Sequence, residues 1–361
     1  MGSNKFGLMT VISITIAVSC LVKVVPIQGQ GLVPPVSGLE YGFYQSSCPC
    51  AENTVRTSII SFLSSNVSQA GGVIRLLYHD CFVQGCDASL LINDTNGEQT
   101  SFPNLTLRQS AFAIIDLIKS QLESKCPGVV SCADILALAV RECINQTGGS
   151  FFEIPTGRRD SLNFSSDATV RANLKPPTSN ISVLISSFSS KGLNPTDLAA
   201  VSGAHTVGTS HCNSFSNRLR PTVDPTLNST LAIKLQQLCP NSSNINALTN
   251  LDMVTPNTFD NQYFTNNLQG NVLLTSDAAL LNNTETKTTV QSLSSSTTQF
   301  SKQFSISLIK MSMISVLTGS AGNIRKVCSV LNAPGSSAAT VTAPVTEIID
   351  EFVEKATIYN T

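Results

Sequence analysis

Residues 75–91 read RLLYHDCFVQGCDASLL, and the reading of this stretch decides the rest. Its first half, with the residues just before it, predicts a helix over Ala70–Phe82, because apolar side chains recur at three- and four-residue spacing. Arg75 and His79 are four apart and so share one face. Val73, Ile74, Leu76, Leu77 and Phe82 surround that face and imply burial. A lone histidine in such a setting is ordinarily a packing residue. An arginine one turn earlier changes the reading, because burying a permanent cation without a purpose is costly. A neutral imidazole beside a fixed cation is a proton shuttle next to a charge stabiliser. The second half offers Asp80, Asp87, Ser89 and a turn through Gly85 between Cys81 and Cys86. Hard oxygen donors of this kind suit Ca²⁺ rather than a transition metal, although the loop is too compressed for an EF-hand.

The rest of the chain follows the same helical period. Helices are predicted over Ala51–Ser65, Leu107–Lys125, Cys132–Asn145, Ile181–Lys191, Pro195–Val201, Asn228–Leu238, Phe259–Asn267 and Thr286–Leu317. No alternating strand series appears, so the fold class is all-α with at most a short β-hairpin. Only two other histidines exist. His205 closes the segment that Asn194, Pro195 and Asp197 open as a helix start, and Gly203 and Ala204 leave room for a large flat group to approach it. His211, beside Cys212 in a Ser-rich segment, is the weaker candidate ligand. Asp252, Thr255, Thr258 and Asp260 form a second oxygen-rich cluster. Asp277, a carboxylate in apolar surroundings, reads as a helix N-cap.

Composition narrows the class. The net charge is −1 with 12% charged residues and no basic run, which argues against nucleic acid or an anionic membrane as partner. Asn66, Asn93, Asn104, Asn145, Asn163, Asn180, Asn228, Asn241 and Asn282 each open a glycosylation triplet, and so many in a weakly charged chain suggest passage through the secretory pathway. Lys5 and the apolar run Phe6–Val22 read as a signal peptide, 1–29, too short for a comfortable membrane span. Of eleven cysteines, Cys20 lies in that segment. The other ten lack zinc-site spacing and point to disulfides. A body of 30–332 follows. The Ala/Ser/Thr/Pro-rich extension 333–361 reads as a disordered tail or as a removable or sorting segment.

Six motifs in order carry a resemblance: RLLYHDCFVQGCDASLL (75–91), KCPGVVSCADIL (125–136), PTGRRDS (155–161), SGAHTVG (202–208), TPNTFDN (255–261) and IRKVC (324–328). From about Gly42 to Asn332 the chain resembles the plant secretory, or class III, haem peroxidases. The resemblance implies the haem peroxidase fold, with haem b between two helical halves, two Ca²⁺, and hydrogen peroxide reduced while phenolic donors lose one electron each. It implies His205 as axial iron ligand, Asp277 as its hydrogen-bond partner, His79 as distal base, Arg75 as transition-state stabiliser, Asn104 as the residue orienting His79, and Pro155 at the donor site. The first calcium would take Asp80, Val83, Gly85, Asp87 and Ser89, with Glu98 acting through water. The second would take Thr206, Asp252, Thr255, Thr258 and Asp260. The implied disulfides are Cys48–Cys126, Cys81–Cys86, Cys132–Cys328 and Cys212–Cys239, which leaves Cys50 and Cys143 over.

Several features depart from the family pattern. Tyr78 stands where Phe is usual, Asn104 lies in a glycosylation triplet, and the chain has no Trp. A haem protein with little activity, or a secreted calcium-binding interaction module, would be the alternatives to an enzyme. The first leaves Arg75, His79 and Asn104 idle, and the second leaves His205 and Asp277 idle as well. The expected setting is extracellular or cell wall, with the vacuole open because of the extension, as a monomer free of membrane, in peroxide removal, oxidative-stress response and wall phenolic or lignin chemistry.

Overall fold

A computed structural model describes residues 33–240 and 246–333. The expected signal peptide, nearly all of the extension and the Asn241 triplet lie outside the described residues.

Twelve α-helices are found among the described residues: α1 (Ala51–Ser65), α2 (Ala70–Val83), α3 (Gln109–Lys125), α4 (Cys132–Gln146), α5 (Asp167–Asn173), α6 (Ile181–Ser189), α7 (Pro195–Ser202), α8 (Ser229–Leu238), α9 (Gln262–Leu268), α10 (Thr275–Ala279), α11 (Thr284–Ser294) and α12 (Thr297–Ser312). Local sequence explains many of the starts. Asn194 and Asp197 form a reciprocal capping box with Pro195 in the first turn of α7. Ser131, Asn180, Asn228 and Asn283 cap α4, α6, α8 and α11 with side-chain oxygens.

The helix expected over Thr286–Leu317 is two helices. Ser295 ends α11, and the Ser296 side chain accepts the Gln299 amide to start α12. A Ser/Thr run lowers helix propensity because its hydroxyls compete for backbone groups, and here one becomes a cap. Asp277 is likewise not an N-cap: that position belongs to Leu274, and Asp277 sits in the first turn of α10. The two strands, β1 (Thr209–His211) and β2 (Leu248–Asn250), pair antiparallel but are not a tight hairpin, since α8 intervenes in sequence.

α4 is buried continuously from Cys132 to Ile144 and packs against α1 and α2. α7 packs against α11 and α12, where Phe259, Phe264, Phe300 and Phe304 form an aromatic cluster. These two groups meet where α2 passes the segment after His205. A β-carbon on Gly71 would lie 2.8 Å from the Cα of Gly208, so only glycine allows this approach. Arg75 and His79 lie one and two turns farther along α2. The two groups of helices therefore meet where α2 passes the segment that follows His205.

Four disulfides close the structure, Cys48–Cys126, Cys81–Cys86, Cys132–Cys328 and Cys212–Cys239, the pairs that the resemblance implies. Cys132–Cys328 spans 196 positions and in the chain-entropy view contributes about 5 kcal/mol. Cys50 and Cys143 are free and buried. Cys50 Sγ lies 4.0 Å from Cys48 Sγ, and burial pushes the Cys143 thiol up. Neither has a structural explanation.

Candidate active site and ion sites

α2 carries Arg75 and His79 on one face, as their spacing requires. The Arg75 Nε–H donates to His79 Nε2 at 3.0 Å. A guanidinium has only donors, so Nε2 must hold a lone pair and the proton must sit on Nδ1. Nδ1–H then donates to Asn104 Oδ1 at 2.7 Å. The Asn104 amide is itself oriented, because its Nδ2 donates to the Glu98 carbonyl at 2.8 Å. A directed chain thus runs from the Glu98 backbone to Arg75 and leaves one tautomer of His79. Burial, and then the Arg75 charge, lowers the His79 pKa to about 3, against the opposing pull of Asn104. The imidazole is neutral at physiological pH. The other Arg75 nitrogens donate to the Thr106 and Pro103 carbonyls, which tether the guanidinium to the segment that carries Asn104.

On the opposite side, His205 Nδ1–H donates to Asp277 Oδ1 at 2.9 Å. Burial disfavours the charged ring, yet the Asp277 carboxylate outweighs it and the His205 pKa is raised. The Arg75 charge opposes that rise, so the guanidinium lies within electrostatic reach of His205. The His205 side chain keeps 36% exposure although Asp277 is almost fully buried. In the neutral ring, with the Nδ1 proton turned to Asp277, Nε2 carries the lone pair, and it makes no hydrogen bond among the described residues. An imidazole so directed, opposite a neutral base and a cation, fits an axial ligand to haem.

The first oxygen cluster lies directly after His79. Asp80 is fully buried and accepts the Ala88 and Leu90 amides at 3.0 and 3.3 Å. Its pKa is pushed well up by burial and then by Asp87 and Glu98. Burial also raises Asp87 and Glu98. Ser89 Oγ and Glu98 Oε2 are buried without a hydrogen bond. Three mutually repelling buried carboxyls with orphaned oxygens fit a divalent cation, which would relieve both costs. The Gly85 carbonyl accepts the Asp87 amide, and the Val83 carbonyl accepts Lys191 Nζ at 3.2 Å.

The second cluster is tighter. Thr206 Oγ1 lies 3.3 Å from Asp252 Oδ2, 3.3 Å from Asp260 Oδ1 and 3.4 Å from the Thr258 carbonyl. Thr255 Oγ1 lies 3.4 and 3.1 Å from the same Asp252 and Asp260 oxygens. One hydroxyl proton cannot serve three acceptors. Five oxygens spaced in this way match the edges of a polyhedron about a cation with Ca–O distances of about 2.3–2.6 Å. Thr206 follows His205 and Asp80 follows His79, so each cluster adjoins a pocket histidine.

Other expected residues stand apart. Pro155 is buried and its carbonyl accepts Arg158 Nη1 at 2.6 Å, on the Asp134 side rather than in the His79 chain. His211 Nδ1 meets the Asn246 carbonyl at 2.9 Å. Tyr78 is half-buried, packed edge-on to His79 and tilted on Phe82. The sequence reading missed Tyr263, which donates to Asp277 Oδ1 at 2.9 Å, and Asn267, which donates to the Asp277 carbonyl at 2.8 Å. Nothing in their spacing foretells a partner ten or more residues away.

The sequence profile of the peroxidase family matches residues 55–296. "Cationic peroxidase SPC4" of Sorghum bicolor is 44% identical over 314 residues, covering 86% of this chain and 86% of that protein. "Peroxidase 12" of Arabidopsis thaliana is 41% identical over 326 residues, covering 90% and 88%. "Peroxidase 66" of Zea mays is 45% identical over 290 residues, covering 80% and 89%. With the two-sided histidine site and both oxygen clusters on the same framework, the chain belongs to the peroxidase family, with plant class III enzymes as its relatives.

Proposed function

We propose that Arg75, His79 and Asn104 perform the proton chemistry of peroxide cleavage in this enzyme, while His205, backed by Asp277, holds the haem. That the chain is a haem peroxidase using hydrogen peroxide, a reducing donor, haem b and two calcium ions follows from its family. When bound, haem b supplies the iron that takes up the peroxide's two oxidising equivalents and passes them to donors singly.

The neutral Nε2 of His79 accepts the proton from the attacking peroxide oxygen and returns it to the departing one, acting first as base and then as acid. Arg75 occupies that nitrogen in the resting site, so its Nε–H must release Nε2 as peroxide enters. The guanidinium then lies beside the oxygen on which negative charge develops. Asn104 holds the proton on Nδ1 throughout, so Nε2 stays available. Peroxide plus two donor molecules yields two waters and two donor radicals.

The donors are small phenols that approach at Pro155, and the setting is oxidative-stress response, peroxide removal and wall phenolic or lignin chemistry. Secretion after removal of 1–29 agrees with the glycosylation triplets and the four disulfides, which persist in oxidising compartments. The chain acts as a monomer. The extension from 333 is a tail or sorting segment that selects wall or vacuole.

The observation that carries the assignment is the His79 tautomer, with Nδ1–H on Asn104 and Nε2 free of a proton. Absorption spectra of two variants test which histidine holds the haem and which is left for proton chemistry. His79→Ala is expected to keep a Soret band, whereas His205→Ala loses tightly bound haem. Full haem retention in His205→Ala would overturn the ligand assignment.

A further inference from the structure

Asp277 Oδ1 accepts two hydrogen bonds rather than one. His205 Nδ1–H reaches it at 2.9 Å and the Tyr263 hydroxyl at 2.9 Å. Tyr263 is 2% exposed and Asp277 3%, so no bulk solvent dilutes the competition. The Asp277 backbone is pinned from α9 by Asn267, and Tyr263 packs edge-on to His205 with ring centroids 6.1 Å apart. Both donors therefore draw on the same carboxylate oxygen from fixed positions.

We propose that Tyr263 is a positioning residue that limits how much negative charge Asp277 passes to the haem-ligating His205. The inference rests on the reading of His205 as axial ligand. A hydrogen bond donated to a carboxylate oxygen withdraws charge from it, and within a buried network the bonds polarise one another. With the phenol attached, Oδ1 pulls less on Nδ1–H, and the ring is less anionic at Nε2. Without it, the full carboxylate charge acts through His205, and the ring becomes a stronger donor to a cationic metal. A stronger donor favours the higher oxidation state. Tyr263 thus acts as a brake on Asp277: the carboxylate sets the direction of tuning and the phenol sets its extent.

A role that merely satisfies a buried hydroxyl would move stability and nothing at the iron. The decisive readouts are therefore the ferric/ferrous reduction potential and the iron–imidazole stretching frequency of the haem-loaded protein. Tyr263→Phe is expected to lower the potential and raise the frequency with the Soret band retained. Asp277→Asn is expected to move both in the opposite sense. In an Asp277→Asn background, Tyr263→Phe should change neither, because the shared oxygen no longer carries charge. Where Tyr263→Phe loosens the fold, 3-fluorotyrosine at position 263 keeps the shape and strengthens the donor, and should raise the potential. A potential unmoved by both the Phe and the fluorotyrosine replacement overturns the proposal. Should His205→Ala keep its haem and its iron–imidazole band, the ligand assignment itself fails. Loss of that band in His205→Ala, alongside an unmoved potential in the Tyr263 replacements, sinks this inference alone.

Discussion

Replacing Asn104 by Leu tests whether orientation of His79 is chemically important. The change removes the acceptor 2.7 Å from His79 Nδ1 and the donor 2.8 Å from the Glu98 carbonyl, at a residue only 3% exposed. A hydrogen bond to a group that becomes charged is worth about 1.5–3 kcal/mol, and the imidazole is charged only after it has taken the peroxide proton. The loss therefore falls on the barrier, and at about 1.4 kcal/mol per tenfold it slows peroxide cleavage by about 10–10²-fold. The His79 Nδ1–H is also left unpaired at about 1–3 kcal/mol, while the Glu98 carbonyl keeps the Ser101 amide at 3.0 Å, so the melting temperature falls as well. Asn104→Asp helps to separate the two effects, because it keeps the acceptor for His79 Nδ1–H while it loses the donor to Glu98 and adds a carboxylate charge. Stopped-flow absorbance of haem-loaded protein with excess peroxide measures the step. Asn104→Leu should be slow and Asn104→Asp substantially faster. Equal rates for wild type and Asn104→Leu would refute the reasoning.

Three further outcomes are expected. Removing calcium with a chelator should lower both the melting temperature and the activity, since ions that bind only the folded state stabilise it by mass action; an unchanged melting curve in protein shown to lack calcium would count against both oxygen clusters. The rate of peroxide cleavage should persist on acidification below the usual histidine range and fall only toward about pH 3, because burial and then the Arg75 charge depress His79 and its neutral form is the active one. A midpoint near the ordinary value of about 6.5 for that step would contradict this. Asn104 should carry no glycan in active, haem-loaded protein despite its triplet, since its Nδ2 is bonded inside the site; peptide mapping that finds a sugar there would require another residue to orient His79.

Much of this site could be read from the sequence, for a physical reason. Arg75 and His79 are linked by the helical repeat, which places residues four apart on one face whatever the tertiary fold. The capping box of α7 is equally local, since Asn194 and Asp197 complete each other within one turn. By contrast, His205, Asp277 and Tyr263 come from three separate elements, and no period relates them. A family motif marked His205 and the wider resemblance implied Asp277; Tyr263 emerged only when the fold brought α9 and α10 together. The break between α11 and α12 was missed because apolar periodicity continues across it, while the hydroxyl of Ser296 decides the matter locally. Pro155 was marked by its motif alone, and the structure adds that its carbonyl accepts Arg158 Nη1 beside Asp134.

The account stands most directly on the peroxide-cleavage rate of His79→Ala. The residue acts as base and then as acid, and general acid–base catalysis alone contributes about 10²–10⁴-fold. Single-turnover kinetics on haem-loaded protein should show an intact Soret band and a cleavage step slowed by at least two to three orders of magnitude. Adding free imidazole to the vacated site should restore part of the rate. A loss of less than tenfold, with haem fully retained, would show that the proton moves through another group and that the chain from Glu98 through Asn104 to His79 has no part in the chemistry.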